Sequence, residues 1–386
     1  MKEDKLIKIL IVAGAMNVGG IENQLMHLIR NADKTIYTID YTTTIEHPYY
    51  QGEIESLGGK CIKICGTNNG GSIIRYCIEL YKIIKNGNYD VVHSHELFHS
   101  GIVMLVAKLA CVKCRITHAH NWAEGVSINE KRSLLRHVYN KIMRKLIIRY
   151  STDYCACSSL AAKYVFGDDV INRPNYHLIF NSIDTCKYLD NYYNKEDGEF
   201  VDKDWINIIH IGRFTNVKNQ MFLVRIAEEL RRKDKRIRII CIGDNNTLYG
   251  IEVQNEIKNK NLDEYIKLIG IRKDVDVLLR KSSAFILPSQ YEGMPLVLIE
   301  AQASGLPCVV ADTFSHEVDF NIGLIDWISI EDDIKQWTNA IENAIQKKKA
   351  NKKDVEEAIE KNGFSSICFT NEICEIYSTI YDRQKD

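Results

Sequence analysis

The chain has 386 residues, of which 45% are apolar and 26% are charged, and its formal net charge is −1. Because this length exceeds what one hydrophobic core normally holds, we expect two domains. The balanced charge argues against a chain-wide nucleic-acid binder, and the longest apolar runs are too short to span a bilayer. The sequence has twelve cysteines and no evident signal peptide, which favours free thiols in a reducing cytosol.

The first half of the chain alternates short β-rich runs with amphipathic stretches. The strand candidates are LIKILIVA at 6–13, followed by KTIYTIDY, KCIKIC, DVVHSH, RITHAH, DYCACS and YHLIFNSI. The glycine-rich segment AGAMNVGG at 13–20 follows the first strand, but it is not GxGxxG and no P-loop lysine comes after it. It therefore indicates only a tight turn where backbone can approach a ligand. The alternation is typical of βαβ units around a parallel sheet.

Histidines end two of these strand candidates. His93 and His95 share a face of the run VVHSH, and His118 and His120 share a face of RITHAH. Because neutral imidazoles are common metal ligands, a metal-dependent hydrolase is a rival interpretation. No carboxylate or further histidine follows at a familiar motif spacing, which weighs against it. Histidines that merely form hydrogen bonds are the alternative for His93 and His99.

The segment 131–150 predicts an amphipathic helix. Its apolar residues at 134, 135, 138, 142 and 146 form one stripe, basic residues largely occupy the other side, and no acid lies within it. Either the basic face is simply solvated, or it contacts anionic lipid headgroups. The second possibility would suit an enzyme whose acceptor is held in a membrane.

A polar and acidic stretch at 186–204 interrupts the alternation and indicates a linker or surface loop. Strand candidates then resume with WINIIHIGRF, IRIICIGD, IKLIG, AFILPS and PCVVADT, and the chain is predicted to be helical from about 331. We therefore predict an α/β fold of two doubly wound, Rossmann-like domains that face each other across a cleft. The expected boundaries are 1–190 for the first domain, 191–363 for the second, and 364–386 for a helix that packs back on the first.

The stretch SQYEGMPLVLIEAQASGLPCV, residues 289–309, follows a buried strand candidate. Pro295 is well placed as the first residue of a helix that we expect from about 296 to 304. Glu292, Gly293 and Met294 then lie in the strand-to-helix turn, where backbone N–H groups suit an anionic or hydroxyl-rich ligand.

Glu300 falls within that helix among apolar neighbours. A buried carboxylate without a partner is costly, by several kcal/mol in practice. A vicinal diol offers two donors to its two oxygens and would satisfy it. A structural Arg or Lys partner is the alternative.

A second candidate site is IIHIGRFTNVKNQ, residues 208–220, in which Arg213 and Lys218 follow a strand that ends at Gly212. Two cations at the carboxyl end of a strand suit a diphosphate, because arginine can grip it bidentately and lysine adds a point charge. A solvated loop is the alternative.

Together these residues resemble glycosyltransferase family 4, whose members have the GT-B fold and transfer sugars from nucleotide donors. HIGRFTNVKNQ is similar to the family's Gly-Arg stretch followed by Lys-Asn. LIGIRKDVDVLLRKSSAFILPSQYEGMPLVLIEAQASGLPCVV resembles its most diagnostic block, including the Glu-x7-Glu pair. ITHAHN and CACSSLAAKYVFG look like bacterial capsular or exopolysaccharide transferases.

The resemblance implies a role for each matching side chain. Arg213 and Lys218 would hold the donor diphosphate and stabilise leaving-group charge. Glu300 would bind the ribose hydroxyls, and Glu292 would contact the transferred sugar. His120 would line the sugar pocket, and the spacing of the two histidines leaves His118 as the other assignment.

The resemblance also places backbone near the donor. The resemblance implies this for Gly19 and Gly20 in the turn of the first domain, for Gly212 at the end of a strand and for Arg272 near the base. It implies the same for the turn before the helix, at Gly293, Met294, Pro295 and Leu296. Pro295 itself has no N–H to offer. One departure is Ser182 in IFNSID, where the family usually has glycine, so the turn into the linker is expected to differ.

The implied reaction is a retaining transfer of a hexose or N-acetylhexosamine from a UDP-sugar to a glycan or lipid-linked acceptor. The donor's own phosphate would assist the acceptor hydroxyl, so no metal or other cofactor would be required. We expect a cytoplasmic enzyme, with the basic helix as a peripheral contact on the inner face of the plasma membrane. The alternatives are a nucleotide-sugar epimerase or hydrolase of the same fold, a histidine-based metal hydrolase, and a non-catalytic sugar-binding subunit.

Overall fold

The computed structural model describes residues 6–17, 19–67, 72–121, 134–189 and 204–382. Within these ranges the chain forms two compact units, the first from residues 6–182 and 366–382 and the second from residues 183–365. Most of the linker predicted at 186–204, the start of the helix predicted at 131–150, and the domain boundary expected at 190–191 lie outside the described residues.

The first unit contains a seven-stranded sheet in its described part. Its strands are β1 (Ile7–Val12), β2 (Tyr37–Thr43), β3 (Cys61–Lys63), β4 (Val91–Ser94), β5 (Cys114–Ala119), β6 (Asp153–Ala156) and β7 (Tyr176–Leu178). The order is β3-β2-β1-β4-β5-β6-β7, and all neighbours are parallel. Each strand overlaps a run predicted from the sequence, although β2 extends two residues beyond its run and β5 starts one residue before its run. The runs were recognisable because strands buried on both faces are largely apolar.

The second unit contains a six-stranded parallel sheet in its described part. Its strands are β8 (Ile206–Ile211), β9 (Ile237–Ile242), β10 (Ile266–Leu268), β11 (Ala284–Leu287), β12 (Cys308–Ala311) and β13 (Ile325–Ile328). The order is β10-β9-β8-β11-β12-β13. The edge strand β13 was not predicted, because its sequence IDWI is short, half-buried and interrupted by an aspartate.

Helices cover both faces of each sheet, as expected for parallel strands. They are α1 (Gly20–Asn31), α2 (Gln51–Ser56), α3 (Ile73–Gly87), α4 (Ser100–Leu109), α5 (Leu134–Tyr150), α6 (Ser159–Phe166), α7 (Asp168–Ile171), α8 (Thr185–Leu189), α9 (Gln220–Arg232), α10 (Leu248–Asn259), α11 (Val275–Lys281), α12 (Leu296–Ala303), α13 (Ile334–Gln346), α14 (Lys352–Asn362) and α15 (Ser366–Asp382), with short 3-10 turns at Leu97–His99 and His316–Val318. Helix α15 packs against α1 in the first unit.

Two sequence predictions about helices need correction. Pro295 is the N-cap of α12 rather than its first residue, and the helix starts at Leu296. In α5 the stripe predicted to be apolar and separate from the basic residues is largely exposed, since Leu135, Val138 and Ile142 are 81%, 45% and 49% exposed. Helix α5 packs instead through Met143 and Ile147, and Lys145 and Arg149 therefore share the exposed face with the apolar stripe.

The strand order places a topological switch point in each sheet. The chain moves outward in one direction from β1 and returns to start again at β4, and it does the same at β8 and β11. Ligands of such sheets bind beyond the carboxyl ends of the strands at this point. The segments singled out in the sequence follow β1 and β4 in the first unit and β8 and β11 in the second. All twelve cysteines are free thiols, as the sequence predicts.

Candidate functional site

Two loops meet at the switch point of the second unit. One follows β8 and contains Gly212, Arg213 and Lys218, and the other follows β11 and leads into α12. The backbone N–H of Gln290 donates to the carbonyl of Val217 at 2.8 Å. The side-chain amide of Asn219 donates to the carbonyl of Pro288 at 3.2 Å. These bonds bring together two segments that the sequence presents as separate candidates.

Lys218 and Glu292 form an ion pair across the two loops. The Nζ–Oε1 distance is 2.5 Å, and the side chains are only 17% and 14% exposed. Ser289 donates its hydroxyl to the same carboxylate oxygen at 2.7 Å. A Cβ on Gly212 would come within 3.0 Å of the Lys218 stem, so this stem lies close against the backbone at the end of β8. Glu292 is thus held by one cation and one hydroxyl beside the carboxyl end of the sheet.

Arg213 has an exposed side chain, and within the described residues its guanidinium has no ion pair. Its backbone is fixed, because Gln220 donates to the Arg213 carbonyl at 3.0 Å. Gln220 also bonds Nε2 of the buried His210 at 3.2 Å, and His210 Nδ1 donates to the carbonyl of Ile286 at 3.1 Å. Burial lowers the pKa of His210 to about 4. A neutral, fully bonded histidine therefore supports the loop that presents the arginine.

The turn before α12 is largely buried. Gly293, Met294 and Pro295 are buried, and Leu296 is half-buried. The first bond of the helix runs from Leu298 N–H to the Pro295 carbonyl. The N–H groups of Leu296 and Val297 therefore precede the helical hydrogen-bond ladder, as at any helix N-terminus. Such groups, with the helix dipole, favour an anionic ligand.

Glu300 has a tyrosine partner, which the sequence analysis did not foresee. Burial raises the pKa of its carboxyl, and a hydrogen bond from Tyr188 and the charge of Lys187 oppose that rise. Tyr188 comes from α8, 112 residues earlier in the chain, and is 2% exposed. The expected alternatives were a ligand diol or a structural Arg or Lys. The neutral hydroxyl of Tyr188 is a partner beyond these two, Lys187 contributes the charge of a nearby lysine, and the diol stays a prediction. The carboxylate remains partly exposed.

The segment DVD at 274–276, which could suggest a metal motif, is engaged in ion pairs. Arg272 grips Asp274 through two bonds of 2.8 and 2.7 Å. Asp276 accepts from Arg280 at 3.1 Å and lies 3.8 Å from Lys187. Gly270, just before Arg272, has φ +71°, a conformation that favours glycine.

In the first unit, Gly19 and Gly20 lie where the β1 loop enters α1. Gly19 is the N-cap and Gly20 the first helical residue. A Cβ on Gly19 would lie 2.3 Å from a carboxylate oxygen of Glu22, so this acid sits against the glycine. An anion at this turn would require the flexible Glu22 side chain to move away.

His120 belongs to a cluster of four buried histidines at the carboxyl ends of β4 and β5. The ring centroids of His93 and His95 lie 4.3 Å apart, and those of His118 and His120 lie 4.2 Å apart. This confirms that each pair shares a face of its strand. His95 Nδ1 and His120 Nε2 are 2.7 Å apart. Burial lowers the pKa of His120 to about 4, so the ring is neutral at physiological pH.

Ser182, the departure from the expected glycine, is fully buried and takes part in a tight network. Its N–H and hydroxyl donate to Gln24 Oε1 at 2.7 and 2.9 Å, and Gln24 Nε2 donates back to its carbonyl at 2.7 Å. Its φ is not positive. Serine is therefore a hydrogen-bonded residue of the first unit at this position.

Sequence reasoning missed four residues of the second-unit site, namely Tyr188, His210, Gln220 and Ser289. His210, Gln220 and Ser289 stand inside the quoted motifs, so their positions carried a signal that residue type alone did not reveal. The contact of Tyr188 with Glu300 carried no local signal. The roles of the other predicted residues in donor binding stay predictions.

Comparisons with known proteins identify the family and the fold of the chain. Residues 206–347 match a family profile described as "Glycosyl transferases group 1", and residues 18–187 match one described as "Glycosyltransferase Family 4". The chain is 31% identical over 379 residues to the putative glycosyltransferase EpsF of Bacillus subtilis, with 96% of each chain covered.

A second relative is named UDP-Gal:alpha-D-GlcNAc-diphosphoundecaprenol alpha-1,3-galactosyltransferase and comes from Escherichia coli. It is 26% identical over 319 residues, which is 78% of either chain. Among solved structures, HepE of Anabaena in complex with UDP and glucose superposes with a TM-score of 0.75 at 16% identity. That match covers 97% of this chain and 100% of the other. It confirms the predicted GT-B fold.

Proposed function

The chain belongs to the family 4 and group 1 glycosyltransferases, and from this premise we propose that it moves a hexose or N-acetylhexosamine from a UDP-sugar to a lipid-linked or glycan acceptor. The transfer retains the anomeric configuration and serves the synthesis of a cell-surface polysaccharide. The choice of UDP is supported by the UDP complex of HepE and by the named donor of the E. coli relative. The lipid-linked acceptor is supported by the diphosphoundecaprenol in that same name.

One observation carries the proposal, which is the Lys218–Glu292 ion pair beside the exposed Arg213 at the switch point of the second unit. When a sugar diphosphate arrives, Lys218 and Arg213 together offset its charge and the negative charge that grows on the leaving UDP. Lys218 is then shared between phosphate and Glu292. The carboxylate thereby gains freedom to accept a hydrogen bond from a hydroxyl of the transferred sugar.

Glu300 binds the other end of the donor in this proposal. Its carboxylate accepts from the ribose hydroxyls, and Tyr188 holds it in place. The backbone of Gly293, Met294 and Leu296 approaches the sugar and phosphates at the N-terminus of α12, and the backbone at Arg272 approaches the base. In the first unit Gly19 and Gly20 approach the diphosphate, and His120 or His118 lines the sugar pocket.

A transfer that retains the anomeric configuration is supported by the contacts of Glu292, the carboxylate that we propose faces the transferred sugar. Glu292 is occupied by Lys218 and Ser289 rather than poised as a nucleophile. The donor phosphate itself then assists the acceptor hydroxyl as it attacks the same face that UDP leaves. Two cations offset the phosphate charge, so we propose that the transfer step requires no divalent ion.

The test measures UDP binding and transfer in matched variants. We expect Glu300→Gln to weaken UDP binding at least tenfold by calorimetry, because the ribose loses an ionic acceptor. Glu252→Gln, at an exposed position on α10, is the control and should bind like the wild type. Unchanged UDP affinity in Glu300→Gln would refute the ribose assignment.

Arg213→Ala should lower the transfer rate by 10²-fold or more, since it removes charge stabilisation in the transition state. Arg225→Ala, at an exposed position on α9, is the control. Radiolabelled UDP-sugar is incubated with and without a diphospholipid acceptor, and NMR of the product reports the anomeric configuration. Free sugar or an isomerised donor formed without acceptor would favour the hydrolase or epimerase alternative. An inverted linkage would overturn retention.

We also propose that the first unit docks on anionic lipid. Helices α3 and α5 both pack on α4, and they expose apolar side chains that include Ile74 at 73% and Leu135 at 81%. Lys141, Lys145 and Arg149 are exposed on α5, which carries no acid. An apolar and basic surface is what an anionic bilayer attracts, at about 1 kcal/mol per cation. Among the described residues, no helix has the length and apolar content needed to cross a membrane.

Sedimentation with vesicles tests the docking surface. We expect the chain to sediment with phosphatidylglycerol vesicles and not with phosphatidylcholine vesicles. The charge swap Lys141→Glu with Lys145→Glu should release it, while Lys258→Glu, an exposed lysine of the second unit, should not. Equal binding of all three proteins would refute the assignment of this face. A docked enzyme of this kind is peripheral on the inner, cytoplasmic face of the membrane that holds its acceptor.

A further inference from the structure

Three of the clustered histidines converge on one point at the carboxyl ends of the central strands β4 and β5. His93 lies in β4, His118 lies in β5, and the parallel register of these strands, carried one residue further, aligns His95 with His118. One ring nitrogen from each of the three lies within 4.8 Å of the other two. The sequence raised these histidines as possible metal ligands but could not select this set of three, because the third histidine comes from a different strand and not from a motif spacing.

The outer nitrogens of two of these rings are already bonded. His93 Nδ1 lies 2.7 Å from the hydroxyl of Tyr377 on α15. His95 Nδ1 lies 2.7 Å from Nε2 of His120. When each Nδ1 carries the proton and donates it, each Nε2 is left with a free lone pair. Metal-bound histidines are arranged in this way, with the second nitrogen donating to a partner that fixes the tautomer and orients the ring.

The inner nitrogens have no partner within the described part of the chain. These atoms are Nε2 of His93, Nε2 of His95, and both nitrogens of His118. His93 and His118 are 0% exposed and His95 is 7% exposed. Buried polar atoms without a hydrogen bond are uncommon and costly. Three of them aimed at one point are best explained by a common ligand.

We propose that His93, His95 and His118 bind one late first-row transition-metal ion, with Zn²⁺ as the natural occupant. The donor set is three imidazole nitrogens with neither oxygen nor sulfur, which suits zinc, nickel or copper and disfavours magnesium and calcium. Zinc holds nitrogen ligands at about 2.0–2.1 Å, so its nitrogens lie about 3.4 Å apart. The ring nitrogens lie within 4.8 Å of one another, so binding would require the rings to rotate until their nitrogens reach that separation.

This inference does not depend on the donor assignments in the second unit, and it gives His118 to the ion, which leaves His120 as the histidine of the proposed sugar pocket. The donor constellation of Arg213, Lys218, Glu292 and Glu300 belongs to the second unit and has its own cations. The ion would instead link β4 and β5 to α15, because its ligand His93 is hydrogen-bonded to Tyr377. The three imidazoles leave the fourth position of the ion to water. Failure of this site would leave the donor assignments of the second unit untouched, just as a failure of UDP binding would leave this site untouched.

The experiment uses the full chain without a polyhistidine tag, stripped with a chelator and titrated with Zn²⁺ by calorimetry. We expect one equivalent to bind, and we expect the melting temperature to rise as zinc is added, because the ion binds the folded chain. Co²⁺ should give the intense visible absorption of a four-coordinate ion. Mg²⁺ and Ca²⁺ should neither bind stoichiometrically nor raise the melting temperature. A wild-type chain that binds no stoichiometric Zn²⁺ overturns the proposal.

Variants locate the site. His118→Gln should abolish binding, and His137→Gln, an exposed histidine on α5, should retain it. Tyr377→Phe keeps the packing and removes the partner of His93, and it should weaken zinc binding by about 10–100-fold. If His118→Gln does not fold, Tyr377→Phe and the cobalt spectrum of the wild type still decide. Zinc binding that is equal in the wild type and Tyr377→Phe, together with a weak six-coordinate cobalt spectrum, would refute the site.

Discussion

The two sheets share one strand order around their switch points, yet the polar groups at their carboxyl edges differ in kind. The edge of the second unit carries charges, with Lys218 bonded to Glu292 and Arg213 exposed. The edge of the first unit carries four buried, neutral histidines. The same backbone topology therefore presents a charged surface suited to a diphosphate in one unit, and a set of uncharged lone pairs in the other.

Buried histidines occur at the carboxyl ends of the strands in both units, but their hydrogen bonds differ. His210 in the second unit has both ring nitrogens bonded, one to a backbone carbonyl and one to Gln220. The inner nitrogens of His93, His95 and His118 have no partner among the described residues. Burial and residue type are alike, so the hydrogen-bond pattern is what separates a structural histidine from a candidate ligand.

The largest expected effect comes from removing a cation of the charged edge. Lys218→Met should lower kcat by about 10²–10³-fold, because it removes charge stabilisation of the leaving diphosphate. It also leaves Glu292 without its counter-ion. Steady-state kinetics with saturating donor measures it, with Lys258→Met as the control. A Lys218→Met enzyme that turns over within threefold of the wild type would show that the ion pair is only structural.

The next effect is on the pH dependence of folding stability, and it comes from the buried His210. Burial lowers the pKa of His210 to about 4, while in the unfolded chain it lies near 6.5. The unfolded state therefore binds more protons as pH falls below 6.5, and the folded state loses stability through this window. At about 1.36 kcal/mol per pKa unit, the loss by pH 4.5 is roughly 2.5 kcal/mol.

His210→Gln should lack this component while being less stable at pH 7. Its stability relative to the wild type should thus recover by roughly 2 kcal/mol between pH 7 and 4.5. Urea unfolding followed by tryptophan fluorescence suits the measurement, since Trp205, Trp327 and Trp337 lie in the second unit. Because all other histidines are common to both proteins, a difference that does not change with pH would contradict the assignment.

A smaller effect comes from the tyrosine that holds Glu300. Tyr188→Phe removes the hydroxyl and should weaken UDP binding by about tenfold, since the loss of one hydrogen bond to a charged group costs about 1.5 kcal/mol. Burial raises the pKa of Glu300 and the Tyr188 bond opposes that rise. The pKa should therefore climb further in the variant, and UDP affinity should begin to fall at a higher pH on acidification.

Calorimetry with UDP from pH 8 to pH 5 measures both parts of this prediction. Glu300→Gln, which cannot titrate, is the control and should bind weakly without this pH dependence. A Tyr188→Phe chain whose affinity matches that of the wild type at every pH would show that the tyrosine does not position the carboxylate.

The fold was predictable because its information is local. Most of the parallel strands described are apolar runs, and the short, half-buried edge strand β13, which contains Asp326, escaped detection. The candidate positions were predictable for the same reason, since they follow strand ends. Their pairing was not. Lys218 meets Glu292 across 74 residues, and the exposed face of α5 depends on which side of it the neighbouring helix α4 covers. Such contacts are decided by packing, which no local pattern contains.

The smallest expected effect tests how finely the charged edge is tuned. Ser289 donates one neutral hydrogen bond at 2.7 Å to the oxygen of Glu292 that Lys218 also contacts. Ser289→Ala leaves the ion pair intact, so kcat/KM should fall only about threefold to tenfold, in line with about 1 kcal/mol for such a bond. In the Lys218→Met background the loss caused by Ser289→Ala should be larger than in the wild type, because the hydroxyl is then the remaining donor described for that oxygen. A double-mutant cycle in kcat/KM measures this coupling. Strictly additive losses would mean that serine and lysine act on Glu292 independently, and the charged edge would then be two contacts rather than one unit.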